Sequence, residues 1–198
     1  MTERGMIFNS EMVRAILDGR KTQTRRPVKL PVHDKNLGCE LAGNELAGEL
    51  SAGNYLNSAF GKQGDRIWVR ETWARYNIDQ DSYDMAYRAT PPADWPEGGR
   101  WRPSIHMPRW ASRILLEITD VRVERLNAIS EEDARAEGII DGGCLNCGEP
   151  EPCGCANPEP DATDAFAYLW QSIYGQENWN ANPWVWVIEF KRVEGGAA

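Results

Sequence analysis

The segment Gly19-Arg20-Lys21-Thr22-Gln23-Thr24-Arg25-Arg26 gathers the residue types best able to hold an anion, directly after a helix-like stretch. Between Arg14 and Lys29 there are six basic residues (Arg14, Arg20, Lys21, Arg25, Arg26, Lys29) against one acid, Asp18. The whole chain has a formal charge of −8. That balance argues against coating nucleic acid by bulk electrostatics, which relies on Lys and Arg neutralising phosphates. An acidic body with one basic patch points to a focused anionic ligand. The plainer alternative is a solvated basic face in which Thr22 and Thr24 are ordinary strand residues.

Sulfur makes the second cluster. Cys144, Cys147, Cys153 and Cys155 give the pattern Cys-x2-Cys-x5-Cys-x-Cys, and four thiolates so close together satisfy tetrahedral zinc. Four protein ligands leave no open position, so the metal would be structural. The competing reading is a free or oxidised cysteine loop; the clustering suits a reducing compartment more than a secreted disulfide framework. Cys39 stands apart and suggests nothing. His106, one of two histidines, lies in Pro103-Ser104-Ile105-His106-Met107-Pro108-Arg109-Trp110 and suits either a cleft wall or a structural imidazole. Glu71 and Trp73 follow a strand-like run and suit a cleft wall as well.

A chain of 198 residues, 41% apolar and 26% charged, is long enough for one proper core and short for two full domains. The expectation is a single domain over 1–198 with insertions at about 30–63, 73–110 and 140–160. No run approaches the roughly 20 apolar residues of a membrane span, and the start lacks a signal-peptide h-region. A soluble, cytoplasmic protein without a membrane partner is expected. Nine tryptophans are mostly core or lid residues on this reading, with base stacking open to one or two of them.

The elements that must position these residues follow from periodicity and caps. Met6 to Phe8 reads as a strand, and Ser10 caps a helix over Glu11 to Asp18 whose Met12, Val13, Ile16 and Leu17 share a face. Gly19 stops it, so Arg20 to Arg26 leaves as an extended segment ended by Pro27. Residues 30–63 read as an insertion. Gly64-Asp65 turns into a strand from Arg66, Asp84 to Ala89 pairs nearby, and Arg113 to Val123 is the strongest strand signal. Ser130 caps a short helix ending near Glu137, a further helix runs to Tyr174, and Trp184 to Val193 closes the chain as a strand. This order suits an α+β fold, a mixed, curled sheet or small barrel with peripheral helices and long inserted loops, better than a doubly wound parallel sheet.

A helix followed by Gly-Arg-Lys-Thr-x-Thr-x-Arg resembles the signature of the ASCH domain family. Gly64-Asp65-Arg66-Ile67-Trp68-Val69, Leu126 to Ala134 and Val187-Ile188-Glu189-Phe190 resemble further family pieces, in family order. The larger form is similar to versions found in phages and prophages, which would place it in the host cytoplasm. The resemblance implies a PUA-like β-barrel with a cleft for RNA or a nucleoside. It also implies kinship with small bacterial amidohydrolases that deacetylate N4-acetylcytidine with a Lys, a Thr and a later Glu. Lys21, Thr24 and Glu137 fall on those three positions. Arg25-Arg26-Pro27 departs from the less basic continuation of those enzymes.

On that basis Lys21 is a base for the Thr24 hydroxyl, Glu137 orients the lysine or shuttles a proton, and Arg20, Arg25 or Arg26 holds an oxyanion or phosphate. On an extended segment residues 21 and 24 point to opposite faces, so the pair converges only where the chain bends. The readings left open are deacylation of an N4-acylated cytidine and a module of a phage or prophage that binds RNA or a modified base without chemistry. Nuclease activity is weaker, since no acidic cluster suited to Mg²⁺ is evident.

Overall fold

A computed structural model describes residues 1–76, 84–140 and 162–193. In chain order the elements are β1 (Glu3–Ile7), α1 (Ser10–Leu17), β2 (Gln23–Pro27), β3 (Val32–His33), β4 (Glu40–Leu41), α2 (Gly43–Ser51), β5 (Arg66–Arg70), β6 (Trp73–Tyr76) and β7 (Asp84–Tyr87). They continue with β8 (Leu115–Arg125), α3 (Glu131–Ala136), α4 (Ala162–Tyr174), α5 (Gln176–Asn180) and β9 (Trp184–Arg192). The protein is a mixed α+β fold. Its main sheet has the strand order β1-β5-β8-β9-β2, with β1 parallel to β5 and the β5–β8 and β2–β9 pairs antiparallel. The small barrel expected from the sequence is therefore found only as far as a mixed, multi-stranded sheet with helices.

The chain divides into two compact units, the first made of Met1–Gly19, Gly64–Ile118 and Phe190–Ala198, the second of Arg20–Gln63 and Thr119–Glu189. In the first unit, β5 alternates as expected, with Ile67 and Val69 fully buried. Helix α1 is capped by Asn9, whose side chain accepts from the Met12 N–H at 2.8 Å, one residue earlier than the Ser10 cap expected from sequence. Asn and Ser are equally good caps, so the residue with extended backbone geometry takes the role, here Asn9 at φ −74°, ψ 170°. Gly19 follows the helix at φ +76°, where a side chain would be strained, and this turns the chain into the basic segment.

In the second unit, β2 lies antiparallel to β9 in unbroken register, Gln23 opposite Glu189, Thr24 opposite Ile188 and Arg25 opposite Val187. Its core joins Leu126, Ile129, Ala134, Ala162, Phe166, Trp170, Val185 and Val187. Ser130 caps α3 by accepting from the Asp133 N–H at 3.1 Å. The Glu131 carboxylate reaches across to take the N–H groups of Ala162 and Thr163 at 3.0 Å each, so α3 caps the start of α4. The stretch 30–63, read from sequence as an insertion, forms the β3–β4 pair and α2, whose Leu46 and Leu50 are buried one turn apart.

Helix α2 begins where Trp184 lies against the backbone. A Cβ added to Gly43 would fall within the Trp184 ring. Gly43→Ala is expected to lower stability by about 1–3 kcal/mol, the usual cost of overpacking a filled site, as measured by urea unfolding. A wild-type midpoint would show that the Trp184 ring moves aside freely.

Candidate functional site

Lys21 and Glu137 come together in the second unit. They form an isolated antiparallel bridge, and the Thr22 N–H donates to the Ala136 carbonyl at 2.8 Å, so the start of the basic segment is stitched to the end of α3. The Lys21 side chain is fully buried. Its Nζ donates to Glu137 Oε2 at 2.7 Å and to the Glu137 carbonyl at 2.8 Å. Glu137 is the C-cap of α3, and Gly138 follows at φ +88°, a turn that brings both the carbonyl and the carboxylate of residue 137 onto the lysine.

Arg25 shares this carboxylate. Its Nη1 donates to Glu137 Oε1 at 3.3 Å, and its Nη2 lies 3.1 Å from Asp133 Oδ2 and 3.5 Å from Glu124 Oε2. The guanidinium is fully buried and packs over the Phe166 ring at 5.9 Å. Arg122 extends the network to Asp120, Glu124, Asp133 and Glu189, with a long bond of 3.4 Å to the Gln23 carboxamide oxygen. Three cations, Lys21, Arg25 and Arg122, thus meet five carboxylates, Asp120, Glu124, Asp133, Glu137 and Glu189.

Charge states follow from this arrangement. Burial pulls the Lys21 pKa down; Glu137 opposes the shift, and Arg25 and Arg26 add to it. Lys21 and Arg25 share the Glu137 carboxylate, one cation on each oxygen. Lys21 Nζ finds two acceptors, the Glu137 carboxylate and carbonyl, and no third among the described residues. Burial would raise the Asp133 pKa, but the Arg25 charge and Arg122 outweigh it and hold the carboxyl below its ordinary range. For Arg122, burial works against the charge, yet the bonds from Glu124 and Glu189 prevail and its pKa is raised.

The other expected site residues are placed as follows. Thr24 is buried on the strand face opposite Gln23 and Arg25, and its hydroxyl makes no hydrogen bond to Lys21 or Glu137. No bulge interrupts residues 23 to 27. Arg20 is exposed and donates to the Gly138 carbonyl at 3.0 Å, while Arg26 is half-buried opposite Trp186. Glu71, Trp73 and His106 belong to the first unit. Glu71 is buried and takes Nε and Nη2 of Arg113 at 2.9 and 3.0 Å; Trp73 is buried beside Met107 and Ala111; His106 is exposed. Cys144, Cys147, Cys153 and Cys155 lie outside the described residues, and among the described residues no group of three or more His, Cys, Asp or Glu side chains is placed to hold a metal ion.

Arg122, Asp133, Glu124 and Glu189 are the residues that sequence reasoning passed over. Asp120, Arg122 and Glu124 alternate with Val121 and Val123, which marks one polar face of β8, and Glu189 interrupts an apolar strand. No helix is long and apolar enough to cross a membrane among the described residues. No protein-family model, no curated protein and no solved structure matches the chain.

Removing Arg25 leaves Glu137 and Asp133 short of a cation inside the fold. Arg25→Ala is expected to destabilise by about 3–5 kcal/mol, the cost of breaking a buried pair from one side, read by denaturant unfolding at neutral pH. Asp133 contributes above the ordinary aspartate pKa, and that contribution fades as pH falls through its lowered value. Asp133→Asn should therefore flatten the acid side of the stability profile; an unchanged acid limb would contradict the pairing.

Proposed function

We propose that the second unit is an amidohydrolase acting on an N4-acylated cytidine, with Lys21 as the proton acceptor and Glu137 holding it. The observation that carries this reading is the fully buried Lys21–Glu137 pair, in which burial lowers the lysine pKa. A lysine of that kind is a base at milder pH than a surface lysine, and groups so perturbed concentrate at functional sites. The ASCH-like motif at Gly19 to Arg26 supports the same assignment.

Neutral Lys21 Nζ takes a proton from the attacking hydroxyl, the amide carbon becomes tetrahedral, and the proton passes to the departing N4 amine. The hydroxyl belongs to Thr24 or to water. On the water route the acid forms directly; on the Thr24 route the acyl group passes to the threonine oxygen, and a water that gives its proton to the same amine then cleaves the ester, releasing the acid and restoring the hydroxyl. Thr24 serves only if residues 23 and 24 loosen from β9, since it now lies on the far face of β2; a water needs no such motion. Either route requires opening over Lys21. The carboxylate excess around Arg122 disfavours phosphate, so the substrate is an uncharged nucleoside in preference to RNA. A structural zinc on Cys144, Cys147, Cys153 and Cys155 belongs to the same proposal, and metal analysis of chelator-free protein should return about one equivalent, the content of a four-thiolate site.

Incubation with N4-acylated cytidines, read by mass spectrometry, should show loss of the acyl group, faster for the nucleoside than for its 5′-phosphate. Lys21→Ala should cost about 10²–10⁴-fold, the usual weight of general base catalysis. Lys21→Arg keeps a cation for Glu137 but gives up the base, so it too should be inactive. Because Glu137 raises the Lys21 pKa, Glu137→Gln lowers it further, and the rising limb of kcat/KM moves to lower pH in that variant. Full activity in Lys21→Arg, or no cleavage of any acylated cytidine, sinks the proposal; Thr24→Ala decides between the hydroxyl and water.

A further inference from the structure

The first unit carries a row of rings and guanidiniums that the proposed chemistry does not use. Trp73 on β6 is 2% exposed, anchored by Met107 and Ala111, with Met85 and Tyr87 packed alongside. Trp110 meets it edge to face, ring centroids 5.7 Å apart at 88°, yet remains 57% exposed. Arg102 is bound to the Trp73 backbone in both directions, at 2.7 and 3.2 Å, and lays its guanidinium 5.2 Å from the Trp73 ring. Arg75, two residues along the same strand, sits 5.4 Å over Trp110. The row runs Arg102, Trp73, Trp110, Arg75.

Two features separate this row from ordinary surface. An indole is among the costliest side chains to leave in water, and Trp110 is held by its neighbours with much of its surface uncovered. Arg109 and Arg113 in the same unit pair with Glu3 and Glu71, whereas Arg75 and Arg102, both exposed, have no carboxylate partner among the described residues. A guanidinium stacked on an indole keeps its N–H rim free and already oriented, the arrangement that suits a phosphate.

We propose that this row is a binding platform for single-stranded nucleic acid, a base stacking on Trp110 with flanking phosphates on Arg75 and Arg102. Every base has a π-face, so the contact is tolerant of sequence and gains from arginine. A duplex keeps its bases stacked inside and offers Trp110 nothing. An acidic peptide would use the arginines but leave the indole bare. The platform shares no residue with the Lys21 site and stands or falls independently of the hydrolase reading.

The test is fluorescence anisotropy of a labelled dodecauridylate titrated with the full chain at several salt concentrations. Binding that weakens with salt is expected. Trp110→Ala should weaken it by about fivefold or more, the lower end of one base–aromatic stack, while Trp110→Phe retains part of the affinity. The Arg75→Gln/Arg102→Gln double variant should flatten the slope of log K against log salt by about 1.4, the contribution of two phosphates on a single strand. Absence of binding overturns the proposal. So does unchanged affinity in Trp110→Ala with a wild-type circular dichroism spectrum, or equal binding of a duplex or an oligoglutamate.

Discussion

The Glu137 carboxylate, buried and divided between Lys21 and Arg25, is the constraint on which the second unit turns. Two cations and one anion out of water are costly unless nearly every donor and acceptor is used. The unit meets most of that demand with backbone as well as side chains, and the buried Arg25 Nε is left without a partner among the described residues. Lys21 takes both the carboxylate and the carbonyl of residue 137, and Thr22 takes the carbonyl of Ala136. This fixes the end of α3. Its other end is fixed by Ser130, and from its first turn Glu131 caps α4, which delivers Phe166 beneath the Arg25 guanidinium. The circuit closes on itself: ion pair, helix, cap, second helix, and the aromatic floor under the ion pair.

The same circuit changes the meaning of the basic segment. Read along the chain, Arg20 to Arg26 is a concentration of positive charge. Folded, two of its cations are sealed against acids more than a hundred residues away, 116 for Lys21 with Glu137 and 108 for Arg25 with Asp133. Arg122 then gathers further carboxylates on the partly exposed side, and the neighbourhood holds more acid than base. A phosphate approaching there meets repulsion, whereas an uncharged base or nucleoside does not.

The parts legible in the sequence are those whose signals are local. The turn at Gly64-Asp65, the alternation of Ile67 and Val69, the long β8 and the Ser130 cap each rest on a few adjacent residues, and Glu137 at the end of α3 came with that cap. Helix α2 was obscured because glycines and an asparagine dilute the Leu46 and Leu50 pair, and its stability comes from burial rather than propensity. The cap at Asn9 was missed by one residue because two good capping side chains stand side by side. The partners of Arg25 were illegible for a different reason. Charge complementarity between β2, β8, β9 and α3 has no periodicity to read, and only the register, Gln23 against Glu189, puts those faces together.

The choice of cation is informative in itself. Between Lys62 and Lys191 every basic residue except His106 is an arginine, and several of them serve where planarity matters: Arg113 on the Glu71 carboxylate and over Tyr87, Arg125 over Trp184, Arg102 over Trp73. A purely structural partner for Glu137 would be served as well by arginine, which forks onto a carboxylate and stays charged. Position 21 holds lysine instead, the one cation of the cluster able to lose its proton, in a place where burial favours that loss against the pull of Glu137. Arg25 and Arg122 supply charge that does not titrate, and Lys21 is the cation whose proton burial loosens. The proposed deacylation draws on that difference, since its proton acceptor must be a group that can change charge, and a cluster built only to hold α3 against β2 has no need of one.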